Sequence, residues 1–166
     1  MLALGIDPGT ATTGFGLVRM LPSGEYELVS YGTVLTEAGQ PMPERLSELF
    51  HKLGEVIQLH QPDTSAVEQL FFQTNVKTAI SVGQARGVAI LALAEAHLPV
   101  GEYTPLQVKQ AVTGYGKADK RQVQEMVRVL LKMEDLPKPD DAADALAVAI
   151  CHLQSSRLER AIEAGS

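Results

Sequence analysis

Residues 2–16 read Leu-Ala-Leu-Gly-Ile-Asp-Pro-Gly-Thr-Ala-Thr-Thr-Gly-Phe-Gly. An apolar run of strand character ends on Asp7, a residue that strands disfavour, and a turn rich in glycine and threonine follows at once. Residues 2–8 read as a first strand, 14–20 as a second and 26–36 as a third, with Pro22-Ser23-Gly24 as the intervening turn. This is the pattern of an antiparallel meander whose first strand delivers a carboxylate to a glycine turn. Gly9 and the small hydroxyl residues Thr10, Thr12 and Thr13 let backbone or phosphate come close to Asp7. An ordinary tight hairpin would use the same residues. The glycines do not follow the dinucleotide-binding spacing before a helix; they precede a strand.

Downstream, Leu46, Leu49, Phe50, Leu53 and Ile57 recur at intervals of three and four, which predicts an amphipathic helix over 43–60 closed by Pro62. Residues 64–67 form a short strand leading into Glu68, so a second strand ends on a carboxylate. A long helix rich in alanine and glycine spans 76–96, a short strand 100–103, and helices follow near 105–113, near 119–133 and from Asp140 onward. The order β-β-β-α-β-α-β followed by helices predicts an α/β fold, a mixed sheet with helices packed on it. No internal repeat or linker interrupts it, so we expect a single domain over 1–155 and a C-terminal tail over 156–166.

The chain has 166 residues, of which 45% are apolar, enough for one domain with a proper core. Cys151 is the single cysteine and lies in an apolar run, so neither a disulfide framework nor a cysteine zinc site is available. The N-terminus lacks the features of a signal peptide, and no apolar run approaches the roughly 18 residues of a membrane span. A soluble, cytoplasmic protein is expected. The net charge of −6 argues at first against nucleic acid. Between residues 109 and 132, however, Lys109, Lys117, Lys120, Arg121, Arg128 and Lys132 face only Asp119 and Glu125, a basic segment of net charge +4 in an acidic chain.

The last helix opens Lys-Pro-Asp-Asp-Ala-Ala-Asp-Ala-Leu-Ala-Val-Ala-Ile-Cys-His. Asp141 and Asp144 are three apart and share one helix face, where two like charges repel. Acids in a first turn are favoured by the helix dipole, so Asp140 as cap with Asp141 and Asp144 beside it is one reading. Asp144, however, is surrounded by alanines and other apolar residues that mark a closely packed face, and a carboxylate there needs a partner. No basic residue follows on this helix until Arg157, about 20 Å along the axis. A divalent cation is the simpler partner, and hard oxygen ligands point to magnesium or manganese. His152 lies too far along the helix to share that ion, and His51, His60 and His97 sit in or at the ends of other helices, so no histidine is a candidate ligand.

Assembled, the motifs resemble the RuvC family of Holliday-junction resolvases, the crossover junction endodeoxyribonucleases. The matching segments are Gly-Ile-Asp-Pro-Gly near the start, Val-Glu-Gln-x-Phe at 67–71, Asn75, Gly-Gln-Ala-Arg-Gly-Val-Ala at 83–89, Gln-Val-Lys-Gln at 107–110 and Asp-Ala-Ala-Asp-Ala-Leu-Ala at 141–147. They run nearly end to end. The resemblance implies an RNase H-like fold, a five-stranded mixed sheet with helices on both faces, and a homodimer that makes symmetric paired nicks in four-way DNA junctions. It implies four metal-binding, catalytic carboxylates, which fall on Asp7, Glu68, Asp141 and Asp144. In some relatives a histidine stands at the Asp141 position. Two-metal chemistry would then activate a water for in-line attack and stabilise the departing 3′ oxygen, leaving 5′-phosphate and 3′-hydroxyl ends.

The same resemblance assigns Phe71 as a wedge that stacks on bases at the junction, with Phe72 as a second candidate. It matches Lys109, Lys117 and Lys120 to backbone-contacting positions, with Arg121 added by proximity. It places the dimer contact near Ala79, Gly83 and Gly87, a smooth stripe that could instead pack on the protein's own sheet. Work alongside a branch-migration complex of RuvA and RuvB family proteins is implied as well. Two other readings stand against this one: an ATP-dependent phosphotransferase of the actin and sugar-kinase superfamily, which needs two such domains, and a non-catalytic junction-binding module, which has no use for four acids.

Overall fold

The computed structural model describes residues 1–69 and 76–164. Strands β1 (Leu2–Asp7), β2 (Thr12–Met20), β3 (Tyr26–Leu35), β4 (Thr64–Glu68) and β5 (Val100–Tyr103) form one sheet in the order β3-β2-β1-β4-β5. The first three are antiparallel neighbours, the predicted meander, whereas β1–β4 and β4–β5 are parallel. Helices are α1 (Met42–His60), α2 (Val76–Glu95), α3 (Pro105–Thr113), α4 (Lys120–Leu130) and α5 (Asp140–Ala164). This is the expected RNase H-like architecture, a five-stranded mixed sheet with helices on both faces. Among the described residues no helix is long and apolar enough to cross a membrane.

β1 lies in the middle of the sheet and is apolar on both faces, as a strand covered on two sides must be. Leu2, Leu4 and Ile6 point to one side, into a core completed by Leu49, Leu53 and Ile57 of α1 and Ala85, Ala89 and Leu93 of α2. Ala3 points to the other, into a core built with Val108 and Val112 of α3, Val123 and Val127 of α4, and the inward residues of α5. The period-2 alternation of β1 thus decides which helices cover which face.

α5 lies across β1 and β2 with little side chain between the backbones. Gly5 pairs with Gly16 across the two strands, and Asp7 pairs with Gly14. A Cβ at Gly5 would overlap the carbonyl oxygen of Ala145, one at Gly14 the carbonyl oxygen of Asp141, and one at Gly16 would stand 2.7 Å from the amide nitrogen of Leu146. The alanine-rich opening of α5 is the complement of this bare patch: Ala142, Ala143, Ala145 and Ala149 are all fully buried. Packing of helix backbone on strand backbone fixes the height of Asp141 and Asp144 above the sheet.

Local signals position the remaining helices. Thr104 and Gln107 form a capping box on α3, and Asp119 and Gln122 form another on α4. α4 stops at Leu130, short of the predicted 133, because Lys132 turns into the left-handed region (φ 53°) and the amide of Met133 closes back on the carbonyl of Arg128 at 2.9 Å. α5 continues past residue 155 to Ala164 as one helix. Its buried His152 uses both ring nitrogens, Nε2 with Thr64 Oγ1 at 2.7 Å and Nδ1 with the Tyr103 hydroxyl at 2.9 Å, tying α5 to β4 and β5.

Candidate active site

The two strand-end carboxylates become neighbours because β4 inserts beside β1 in parallel. Ile6 is opposite Val67, so the next step of the register sets Asp7 beside Glu68. The N-terminus of α5 rides over the other flank of Asp7, with the Asp141 carbonyl directly above Gly14, the cross-strand partner of Asp7. Three separate segments therefore bring Asp7, Glu68, Asp141 and Asp144 together at the C-terminal end of β1 and β4.

Their electrostatics show how tightly they crowd. Burial and, after it, the charges of Glu68, Asp144 and Asp141 push the Asp7 carboxyl up to about 8. Burial and Asp144 push Glu68 up to about 7. Asp144 is raised chiefly by burial, against the pull of Lys120. Such a set is uncomfortable for a purely structural role, because removing the charges would stabilise the fold.

The countercharge within the chain comes from the basic segment. Lys120, the first residue of α4, places its Nζ 3.1 Å from Asp144 and 3.2 Å from Asp140. Lys109 on α3 lines the same cleft of about 220 Å³ together with Glu68, Lys120 and Asp144. Lys117 and Arg121 are exposed nearby, Arg121 on the wall of an adjoining groove with Tyr115 and Met126. Among the described residues no three His, Cys, Asp or Glu side chains close into a ready metal cage. Asp144 is turned instead to the Lys120 ammonium. The donor set still fits a hard divalent cation: it is all carboxylate oxygen, and its members repel one another until a cation joins them.

Because Lys120 competes with any cation for Asp144, Lys120→Gln is expected to tighten Mn2+ binding about fivefold. That is the equivalent of about 1 kcal/mol for a half-exposed ion pair. Calorimetric titration of both proteins checks this, and unchanged or weaker binding would show that the pair does not oppose the metal.

Phe71, Phe72 and Asn75 lie outside the described residues. On α2, Ala85, Ala89 and Ala92 face inward, whereas Gly87 is exposed with open space where a side chain would stand, between the exposed Ile80 and Leu91. Ala79 and Gly83 are half-buried at the edge of that outward face. A residue that the spacing of motifs did not single out is Arg86, whose Nε donates to the backbone carbonyl of Glu68 at 3.2 Å. Its signal was a lone arginine deep in an alanine and glycine helix.

A mixed sheet of this order, with acids at the ends of two adjacent parallel strands and on the helix above them, places the chain in the RNase H-like class of α/β proteins. The comparisons carry the assignment further. A family model described as "Crossover junction endodeoxyribonuclease RuvC" matches residues 3–152. A crossover junction endodeoxyribonuclease RuvC of Chloroflexus aurantiacus is 61% identical over 152 residues, covering 92% of each chain. A Thermus thermophilus RuvC structure shares 37% identity at a TM-score of 0.89, covering 96% of this chain and 97% of that one. Another, T. thermophilus RuvC in complex with Holliday junction substrate, shares 35% identity at a TM-score of 0.87, covering 95% and 96%. The chain belongs to the RuvC family of crossover junction endodeoxyribonucleases.

Proposed function

We propose that this chain resolves four-way DNA junctions by paired symmetric nicks, with Asp7, Glu68, Asp141 and Asp144 as the metal-holding catalytic set. The observation that supports this most directly is the common end of β1 and β4 where Asp7 and Glu68 stand below the N-terminus of α5, with their carboxyls pushed up to about 8 and about 7. Magnesium or manganese, as two ions per site, is the cofactor that this donor set suits. When bound, such ions supply Lewis-acid activation of water and stabilisation of the leaving oxygen.

The chain's own groups do the rest. Asp7, flanked by Glu68 on one side and α5 on the other, would be the central residue of the set that holds the metal. Lys109 and Lys120 line the cleft and can hold the phosphate by charge, Lys120 after leaving Asp144. Lys117 and Arg121 extend the basic surface along the DNA backbone, which positions without reading sequence. Phe71 and Phe72 are the base-stacking candidates at the junction. The outward face of α2 around Ala79, Gly83 and Gly87 is the proposed contact between two copies, since two symmetric cuts require two sites. RuvA and RuvB family proteins are the proposed branch-migration partners, and the cytoplasm the proposed location.

The test is cleavage of a mobile four-way junction beside an equal-length duplex with Mg2+ or Mn2+. Paired nicks on the junction alone, with 5′-phosphate ends, are expected. Junction binding without nicks in either metal would leave a binding module and remove the catalytic reading.

A further inference from the structure

We infer that Arg86 is a positioning residue for the active site: it takes over the backbone contact that sets the Glu68 carboxylate in place where the sheet itself cannot. This rests on the reading of Glu68 as a metal-holding carboxylate. Gln69 donates its amide to the carbonyl of Tyr103 on β5 at 2.8 Å, so residue 69 hydrogen-bonds toward β5. Successive residues of a strand turn their backbone groups to opposite sides, and the carbonyl of Glu68 accordingly faces β1. In the parallel register that sets Asp7 beside Glu68, the amide due to reach that carbonyl belongs to the residue after Asp7. That residue is Pro8, which has no N–H.

The ladder therefore runs out at the residue whose side chain enters the site. Pro8 belongs to the turn that ends β1 on Asp7, so the missing donor follows from the way the first acid is presented. Arg86 supplies a replacement. From α2, beside the fully buried Ala85, its Nε donates to the Glu68 carbonyl at 3.2 Å and its NH2 pairs with the Glu102 carboxylate on β5. One planar guanidinium thus spans β4 and β5 at the height of the site and registers α2 against both. Its side chain is only 20% exposed, so the fork is held in place rather than waving in solvent. A lysine offers no planar fork: its single nitrogen would have to serve both acceptors from one point, whereas the guanidinium reaches them from two separate nitrogens.

Outer contacts that orient metal-holding groups are worth about 10- to 100-fold in metal affinity or turnover. Arg86→Met, which keeps the stem and removes every donor, is expected to weaken Mn2+ binding and lower kcat on the junction by that factor. The junction KM and thermal midpoint should move little by comparison. Arg86→Lys is expected to fall between wild type and Arg86→Met in both Mn2+ affinity and kcat.

Glu68→Gln serves as the reference for the site itself. If Glu68→Gln loses Mn2+ affinity and Arg86→Met retains it, Arg86 does not position the site and the inference is overturned. If Glu68→Gln itself retains wild-type Mn2+ affinity, the reading of Glu68 fails, and the inference falls with it for that separate reason. Parallel losses of stability, junction KM and kcat in Arg86→Met would mark a general structural contact and would equally overturn a positioning role.

Discussion

Asp7→Asn is expected to lower junction cleavage by about 10³-fold or more while leaving junction binding intact and making the metal-free protein more stable. The loss of turnover follows from position, because Asp7 is the acid with neighbours on both flanks and removing its charge takes a proposed metal ligand from the centre of the set. The gain in stability follows from the same crowding. In the folded protein its carboxyl is held up at about 8 against an ordinary 3.8, by burial first and by Glu68, Asp144 and Asp141 after it.

The sign of the pH dependence follows directly. An acid whose folded pKa lies above its unfolded value favours the fold while protonated. That contribution is whole below about pH 4 and is lost as pH rises through about 8. Glu68, raised from 4.5 to about 7, acts in the same sense over pH 4.5 to 7. In EDTA the wild type should therefore lose about 2 kcal/mol or more between pH 5 and 8, a fall of about 4–8 °C in a chain of this length. Asp7→Asn should show a shallower decline and melt higher than wild type at pH 8. Divalent cations compete with these protons, so metal affinity should rise over the same range. An Asp7→Asn protein that cuts junctions at the wild-type rate, or that melts below wild type in EDTA at pH 8, would mean that Asp7 is a structural acid.

The strands and helices were legible because several carry their own pattern and stop: the short apolar run of β1 that ends on Asp7, the three-and-four spacing of α1, and Pro62 behind it. The four acids were legible because carboxylates at strand ends and inside an alanine-rich helix face have no local partner. Legibility ended where partners come from elsewhere in the chain. Lys120 reads as one more cation in a basic segment, and only the packing of α4 on α5 brings its Nζ to Asp144. Arg86 stands in the sequence only as one residue of the 83–89 segment, and its target is a backbone carbonyl that no side-chain pattern encodes. The glycines of β1 and β2 carry a related ambiguity. Gly5, Gly14 and Gly16 look like weak points in two strands, and their purpose emerges only when α5 is laid on them.

That seat makes the second strong prediction, in which one chemical change has opposite effects at two glycines. Gly54 lies within α1 with open space around the position of a Cβ, so Gly54→Ala should stabilise the protein by about 0.5–1 kcal/mol through helix propensity alone. At Gly14 the same added methyl would overlap the carbonyl of Asp141, a backbone atom that cannot swing aside as a flexible side chain would. The first turn of α5 must lift, and Asp141 and Asp144 lift with it. Overpacking of this kind costs about 1–3 kcal/mol, and a displacement of about 1 Å at a reacting centre costs about 10²-fold in rate. Gly14→Ala should thus remain folded at 25 °C with junction cleavage down about 100-fold and Mn2+ affinity reduced. Gly5→Ala, which meets the Ala145 carbonyl further along the helix, should lose comparable stability because the methyl presses on the middle of the α5 seat. Urea melts and single-turnover cleavage of the three variants separate these effects. Wild-type cleavage by Gly14→Ala would show that the height of α5 above the sheet does not govern the proposed catalytic acids, since this substitution changes that height while leaving every carboxylate in the chain.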